Sequence, residues 1–205
     1  MARKPAKPAE RGGDAARRAE ILDAAEKLFR HYGPQKTTIG DIAREAGIGV
    51  GSVYLEFCSK EDIVAELSAR RHDRVLGAMR VAVEGKRGAL RLSAALEARV
   101  SALFELKSEG AHSCDLVLCS VTKRSYARFR DEERALVARE LAELGAADPE
   151  RASLLVERAF ATLSPPWLFE LERGEALGLC RDLAQLLLHG LLDRPGAKPM
   201  RRRSG

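Results

Sequence analysis

Residues 37–60 bring hydroxyls, small side chains, one phenol and one ammonium together at short spacing, a set suited to recognition. Thr37 and Thr38 offer hydroxyl donors and acceptors at the start of one short segment. Val50, Gly51 and Ser52 are small enough to let a backbone approach a ligand closely. Ser52 can hydrogen-bond a base edge or a phosphate, and Val50 can touch a thymine methyl. Tyr54 carries its hydroxyl on a rigid arm suited to a phosphate oxygen. Lys60 combines a positive charge with the free N–H groups of a helix start, which is a phosphate site. Glu56 is the discordant member, because an acid there repels phosphate or accepts from a cytosine amino group.

These side chains need elements to hold them, and the sequence predicts helices. Ile21, Ala25, Leu28, Phe29 and Tyr32 recur with the period of an amphipathic helix, which Gly33-Pro34 ends. Thr38-Ile39-Gly40-Asp41 is a capping-box start for a short helix, Ile39 to Ala46, ended by Gly47. A second short helix, about Val50 to Phe57, follows almost at once. Ser59-Lys60-Glu61-Asp62 then opens a long helix to about Val83. Ile42 and Ala46 with Val53 and Phe57 can pack on the flanking helices, and the small Ala43 lets two axes cross closely. Two helices too short to be stable alone, joined by a tight glycine turn, have the geometry of a helix-turn-helix whose second helix enters a major groove. Beyond Gly85 helical segments are expected near 88–108, 114–123, 130–144, 149–164 and 175–192. Asp148-Pro149 supplies an N-cap and a first-turn proline. No stretch has a period of two, so the expected class is all-α.

The positions Ile21-Leu22, Ala24-Ala25, Leu28-Phe29, Gly33, Thr37-Thr38, Ile42-Ala43, Ala46-Gly47, Tyr54, Phe57 and Ser59-Lys60-Glu61 together resemble the N-terminal domain of TetR-type transcriptional regulators. The resemblance covers about 14–65. Residues 85–205 resemble the family only in the number and length of their helices. It implies an N-terminal three-helix DNA-binding domain over 14–60, joined by the helix 59–83 to a C-terminal domain reaching 195. Residues 1–13 and 196–205 are expected as disordered basic arms. It also implies a ligand-responsive repressor that binds a palindromic double-stranded operator as a homodimer and is released by a small-molecule effector. On this chain the DNA-contacting roles fall on Thr37, Thr38, Val50, Gly51, Ser52, Tyr54 and Lys60.

The last two long helices carry more apolar surface than one core-facing stripe needs. Leu155, Phe160, Leu163, Leu183, Leu187 and Leu191, with Leu154 and Leu186 beside them, are therefore expected at a subunit interface. A mainly apolar effector cavity is expected with Phe104, Phe129, Phe160 and Trp167 as walls, implying a largely apolar effector.

Composition narrows the alternatives. The chain has 205 residues, 45% hydrophobic and 32% charged, which excludes overall disorder and low-complexity architectures. Its net charge of +5 sits in the ends: residues 1–18 carry a net +4, residues 198–205 another +4, and the middle is slightly acidic. Residues 19–60 are themselves net −1, so a basic arm at the N-terminus is expected to follow phosphates. Four cysteines without a C-x-x-C motif suggest a reduced, cytoplasmic protein. No apolar run is long enough to cross a bilayer, and no apolar segment follows the basic N-terminus as a secretory signal requires. His112, Cys114 and Cys119 suggest a metal or redox sensor, but no second histidine lies at a matching spacing, so a structural role is preferred. Arg70, Arg71 and Arg74 read as a solvated face, and Asp131-Glu132-Glu133 as an acidic helix start. The rival reading is an all-α enzyme or small-molecule-binding protein with a non-functional helix-turn-helix. No nucleophile–base spacing, phosphate loop or paired metal motif supports it, so no catalytic residue, metal or cofactor is expected.

Overall fold

The computed structural model describes residues 11–110 and 123–192. Within them the chain forms α1 (Arg11–Tyr32), α2 (Ile39–Glu45), α3 (Val50–Glu56), α4 (Lys60–Ala82), α5 (Ala89–Ser108), α6 (Lys123–Glu143), α7 (Pro149–Ala159) and α8 (Arg173–Leu192). Short 3₁₀ turns lie at Phe160–Leu163 and Trp167–Glu170. No strand occurs among the described residues, and the class is all-α.

Two apolar cores organise these helices. The first gathers Ile21, Leu22, Ala25 and Phe29 of α1, Ile42 and Ala43 of α2, and Val53 and Phe57 of the α3 segment. Ile63, Val64 and Leu67 of α4 complete it. Neither α2 nor α3 exceeds two turns, so their stability comes from this burial and from capping rather than from propensity. Thr38 caps α2: its hydroxyl accepts from the Asp41 N–H at 3.1 Å, and Asp41 accepts from the Thr38 N–H at 3.0 Å. Such a cap is worth about 1 kcal/mol. Gly47 turns α2 into α3 at φ +68°, a left-handed conformation that costs a residue with a Cβ dearly. There the Ile48 N–H reaches back to the Ala43 carbonyl at 2.9 Å, closing the helix end.

The second core holds Val75, Leu76 and Met79 of α4 with Leu92, Leu96, Val100 and Leu103 of α5. Leu136, Val137 and Leu141 of α6, Val156 of α7, and Ala176, Cys180 and Ala184 of α8 close it. One helix, α4, thus feeds both cores with successive turns. The N-terminal core reaches Leu67, seven residues beyond the boundary expected at 60.

The junction between the cores is electrostatic. Arg71 is 1% exposed and meets Glu26 of α1 at 3.4 Å and Glu109 at the end of α5 at 3.9 Å. Arg74 also binds Glu109, Arg70 binds Asp23, and Arg30 pairs with Glu26. The three α4 arginines are therefore ties between elements rather than a solvated face. Burial alone would raise the Glu109 carboxyl, but the hydrogen bond from Arg74 and the charges of Arg71 and Arg30 hold it below the usual range. Gly110 lies against the end of α1 so closely that a Cβ there would sit 3.0 Å from the Arg30 carbonyl oxygen.

Other local expectations shift for physical reasons. α1 already includes Arg11, Gly12 and Gly13, which the sequence pattern places in the N-terminal arm. α6 begins at Lys123 rather than near 130, so Asp131-Glu132-Glu133 lies inside a helix. Glu133 binds Arg99 there, and Glu132 binds Arg80 and Arg128. α7 gives way to a 3₁₀ turn at Phe160, because Pro165 disfavours helical backbone at Ser164 and the end tightens. Asp148 caps α7 as expected, accepting from the Arg151 N–H at 3.0 Å. The expected segment 114–123 lies almost wholly outside the described residues.

Candidate nucleic-acid interface

α3 buries one side and presents the other. Val53 and Phe57 anchor it in the N-terminal core, while Val50, Gly51, Tyr54 and Leu55 face solvent and Ser52 is half-buried. Tyr54 and Leu55 are 54% and 79% exposed, high values for large side chains on so short a helix. No hydrogen bond or ion pair engages the side chains of Ser52 or Tyr54 among the described residues. The face is apolar and hydroxyl-bearing and carries no charge.

The flanking candidates divide. Thr38 is exposed, but its hydroxyl is engaged in the α2 cap, which also lowers the Asp41 carboxyl below its usual range. Thr37 is 2% exposed, and its hydroxyl donates to the Gly33 carbonyl at 2.9 Å. That inward hydroxyl fixes the turn after α1, so the expected side-chain contact with DNA does not fit it. Lys60 is likewise engaged: its ammonium donates to the Pro34 carbonyl at 2.8 Å and to the Thr37 carbonyl at 3.0 Å. In this state Lys60 ties the α1–α2 turn to the start of α4, instead of offering a free phosphate ligand.

Glu56 does not carry the repulsion its type suggested. Its side chain is 12% exposed and lies 3.8 Å from the Arg17 guanidinium. Arg18, counted in sequence with the basic arm, is a clamp on the same corner. It donates to the Glu56 carbonyl at 2.6 Å, binds Glu66 of α4, and stacks over the Phe57 ring at 4.0 Å. α3 is thus fixed to α1 and α4 by arginine chemistry that residue type alone did not reveal. The exposed cations Lys36 and Arg44 border the same corner, Arg44 pairing with Asp41 at 3.2 Å.

In the C-terminal half a cleft of about 170 Å³ opens between α5, α6, α7 and the Phe160–Leu163 turn. Phe160 and Trp167 line it. Phe129 instead lies under α4, its ring stacked on His72 at 4.7 Å, and Phe104 meets Phe169 edge-on at 6.3 Å beside Lys107. The expected apolar lining is also corrected, since Arg99, Arg130, Arg134, Arg158, Glu133 and Glu157 share the wall.

The interface candidates divide similarly. Phe160 and Leu163 are 3% exposed in their own core and are removed from the subunit surface. Leu183 and Leu187 are half-buried against that core, and the Leu191 side chain lies outside the described residues. Leu154, Leu155, Leu179 and Leu186 are exposed, Leu186 at 71%. Leu179 and Leu186 lie two turns apart on α8, a spacing that marks a second apolar stripe beside the core-facing one.

His112, Cys114 and Cys119 lie outside the described residues. Cys58 is exposed, and Cys180 is buried, its thiol pushed up to about 12 by burial. Among the described residues no group of His, Cys, Asp and Glu is placed to hold a metal ion. No described helix is long and apolar enough to cross a membrane.

The sequence profile of bacterial regulatory proteins of the tetR family matches residues 21–67, the span from the first core residue of α1 to the last of α4. The HTH-type transcriptional repressor KstR2 of Rhodococcus jostii (strain RHA1) is 37% identical over 128 residues, covering 62% of this chain and 55% of that protein. The chain thus spans about half the length of this curated relative. The crystal structure of a putative transcriptional regulator from Pseudomonas aeruginosa PAO1 superposes with a TM-score of 0.68 at 24% identity, over 88% of this chain and 94% of that one. A TetR-like transcriptional regulator from Rhodococcus sp. RHA1 gives 0.62 at 24% identity, over 94% and 100%. These likenesses place the fold, and the segment 21–67, which holds the helix-turn-helix, is similar in sequence to the tetR family of bacterial regulatory proteins.

Proposed function

We propose that this protein is a DNA-binding transcriptional repressor that grips a palindromic operator as a homodimer and lets go when a small molecule binds its C-terminal half. The observation that carries the reading is the α3 face. Val50, Gly51, Ser52, Tyr54 and Leu55 project from a helix whose every other contact is fixed by the core, the α2 cap and the Arg18 clamp. An uncharged, hydroxyl-bearing face suits base edges and thymine methyls, while the positioning contacts to phosphate fall to its border. Tyr54 supplies one such contact. Thr38 and the exposed cations Lys36 and Arg44 flank it.

The N-terminal residues supply the missing charge. Arg3, Lys4 and Lys7 precede α1 in sequence, and we assign them to phosphates beside the operator. Their deletion should reduce the slope of log affinity against log salt by about 0.9 for each phosphate no longer neutralised.

The dimer is assigned to α7 and α8, whose exposed Leu154, Leu155, Leu179 and Leu186 have no core to fill within one subunit. A stable two-fold interface of this kind buries about 2,000 Å² or more. Coupling to the C-terminal half runs along α4 through the Arg71–Glu26 and Arg71–Glu109 pairs. An effector must favour the DNA-incompetent arrangement by about 1–3 kcal/mol to act through them. A mobility shift with the DNA upstream of the protein's own coding sequence tests the reading. Retardation competed by that fragment, and not by an equal mass of unrelated DNA, supports it. Equal competition by both overturns it.

A further inference from the structure

The cleft between α5, α6 and α7 has a chemistry that sequence did not suggest. Its floor is apolar, made by Leu96, Val137, Val156 and Phe160, and Trp167 stands exposed at its edge. Its wall holds four arginines against two glutamates, a net charge of +2 in a concave site. Those arginines are not equivalent. Arg99 is buried and fully engaged, with Glu133, with the Leu163 carbonyl at 2.8 Å and with Ser164 Oγ at 2.7 Å. Arg134 binds Glu157 at 2.9 Å, and Arg130 reaches the same carboxylate at only 3.4 Å. Arg134 also pairs with Asp131 at 3.5 Å, whereas Arg130 has only the longer contact with Glu157 among the described residues. The Arg130 Nε is buried without a hydrogen-bond partner among the described residues. Arg158, on the same wall in the last turn of α7, is exposed and has no acidic partner among them either. A buried guanidinium N–H without an acceptor is unfavourable, so an acceptor entering the cleft relieves it.

We infer that this cleft binds a small amphipathic organic anion, its acidic head between Arg130 and Arg158 and its apolar body on Val156, Phe160 and Trp167. The inference rests on the effector-release reading above and names the chemical class of that effector. At about 170 Å³ the cleft is smaller than the ~300–1,000 Å³ of drug-sized sites, so the ligand is a medium-chain or single-ring acid. A guanidinium fork matches carboxylate and phosphate geometry, whereas a neutral ligand leaves Arg158 without an acidic partner.

The test uses the full chain without DNA and three probes of equal tail: octanoate, octyl phosphate and 1-octanol. Trp167 is the only tryptophan, so its fluorescence reports occupancy, with calorimetry as the second readout. At least one anion should bind ten-fold or more tightly than octanol, and the tighter of the two identifies the head group. Arg158→Gln, an exposed position that leaves the fold alone, should weaken the anion about ten-fold, or 1.4 kcal/mol, and leave octanol unchanged. Arg130→Gln should act in the same direction. Octanol binding as tightly as both anions, no binding by any probe, or an Arg158→Gln variant with unaltered anion affinity would overturn the assignment. A mobility shift with the winning probe then reads the regulatory step separately. Anion binding without loss of DNA binding would leave the cleft assigned and refute effector release.

Discussion

Acidification should destabilise this protein in part through one histidine, and the size of that part follows from its surroundings. His72 sits on α4 with its ring stacked on Phe129 at 4.7 Å and tilted toward Tyr126 at 6.0 Å. It is 5% exposed, and neither ring nitrogen has a hydrogen-bond partner among the described residues. Burial pushes its pKa from 6.5 down to about 4, the neighbouring Asp73 opposing only weakly. The folded protein therefore holds His72 neutral while the unfolded chain protonates it. Between those two values the unfolded state binds the extra proton, so stability is complete above pH 6.5 and is lost as pH falls toward 4. With those values the loss at pH 5 is about 2 kcal/mol, and below pH 4 it approaches about 3 kcal/mol. Urea unfolding at pH 7.5 and 5.0, at one fixed protein concentration, measures it. His72→Phe keeps the ring stack and removes the proton site. The wild type should lose about 2 kcal/mol more than the variant between the two pH values, because the acidic residues are common to both. Equal losses in the two proteins would refute the claim that burial keeps His72 neutral.

Other perturbations separate structural roles from contact roles. Lys60→Met should cost about 1–2 kcal/mol in urea unfolding, since it removes a charged donor from the Pro34 and Thr37 carbonyls. A variant as stable as wild type that nevertheless loses DNA affinity would return Lys60 to the role of phosphate ligand. Tyr54→Phe should weaken operator and non-operator DNA alike in anisotropy titrations, whereas Ser52→Ala should change base preference by about 1–3 kcal/mol at one position of the site. Leu186→Glu, at a position 71% exposed in the single subunit, should leave the fold intact and give a 22.4 kDa monomer in sedimentation. A dimer surviving that charge would move the interface away from α8.

The helices were legible where local chemistry is self-contained. Thr38 with Asp41, Ser59 with Asp62 and Asp148 with Pro149 each write a helix start within four residues, and each cap forms as written. Of the stripe Ile21, Ala25, Leu28, Phe29 and Tyr32, the first four lie in or against the core as helical period requires, while Tyr32, in the last turn of α1, is 58% exposed. Side-chain destinations were less legible, because they depend on what another element brings. Nothing near Lys60 in sequence says that the Pro34 and Thr37 carbonyls lie within its reach. Arg18 reads as one more tail cation until Phe57 and Glu66 arrive beneath it. Arg71 gives the same lesson in reverse, since its acceptors come from α1 and from the end of α5. Phe160 and Leu163 are apolar at the right spacing for either core or interface, and only the packing of the 3₁₀ turn sends them inward.

Selection of bound fragments from a random double-stranded DNA pool by the purified full chain tests the central claim most directly. The account predicts one enriched motif with two-fold symmetry, its half-sites set by two α3 helices in successive major grooves. The variant Ser52→Ala should return the same spacing with altered bases at matching positions of both half-sites. A pool that stays random, or an enriched motif without symmetry that Ser52→Ala leaves unchanged, would contradict the assignment of α3 as the reading helix of a dimer.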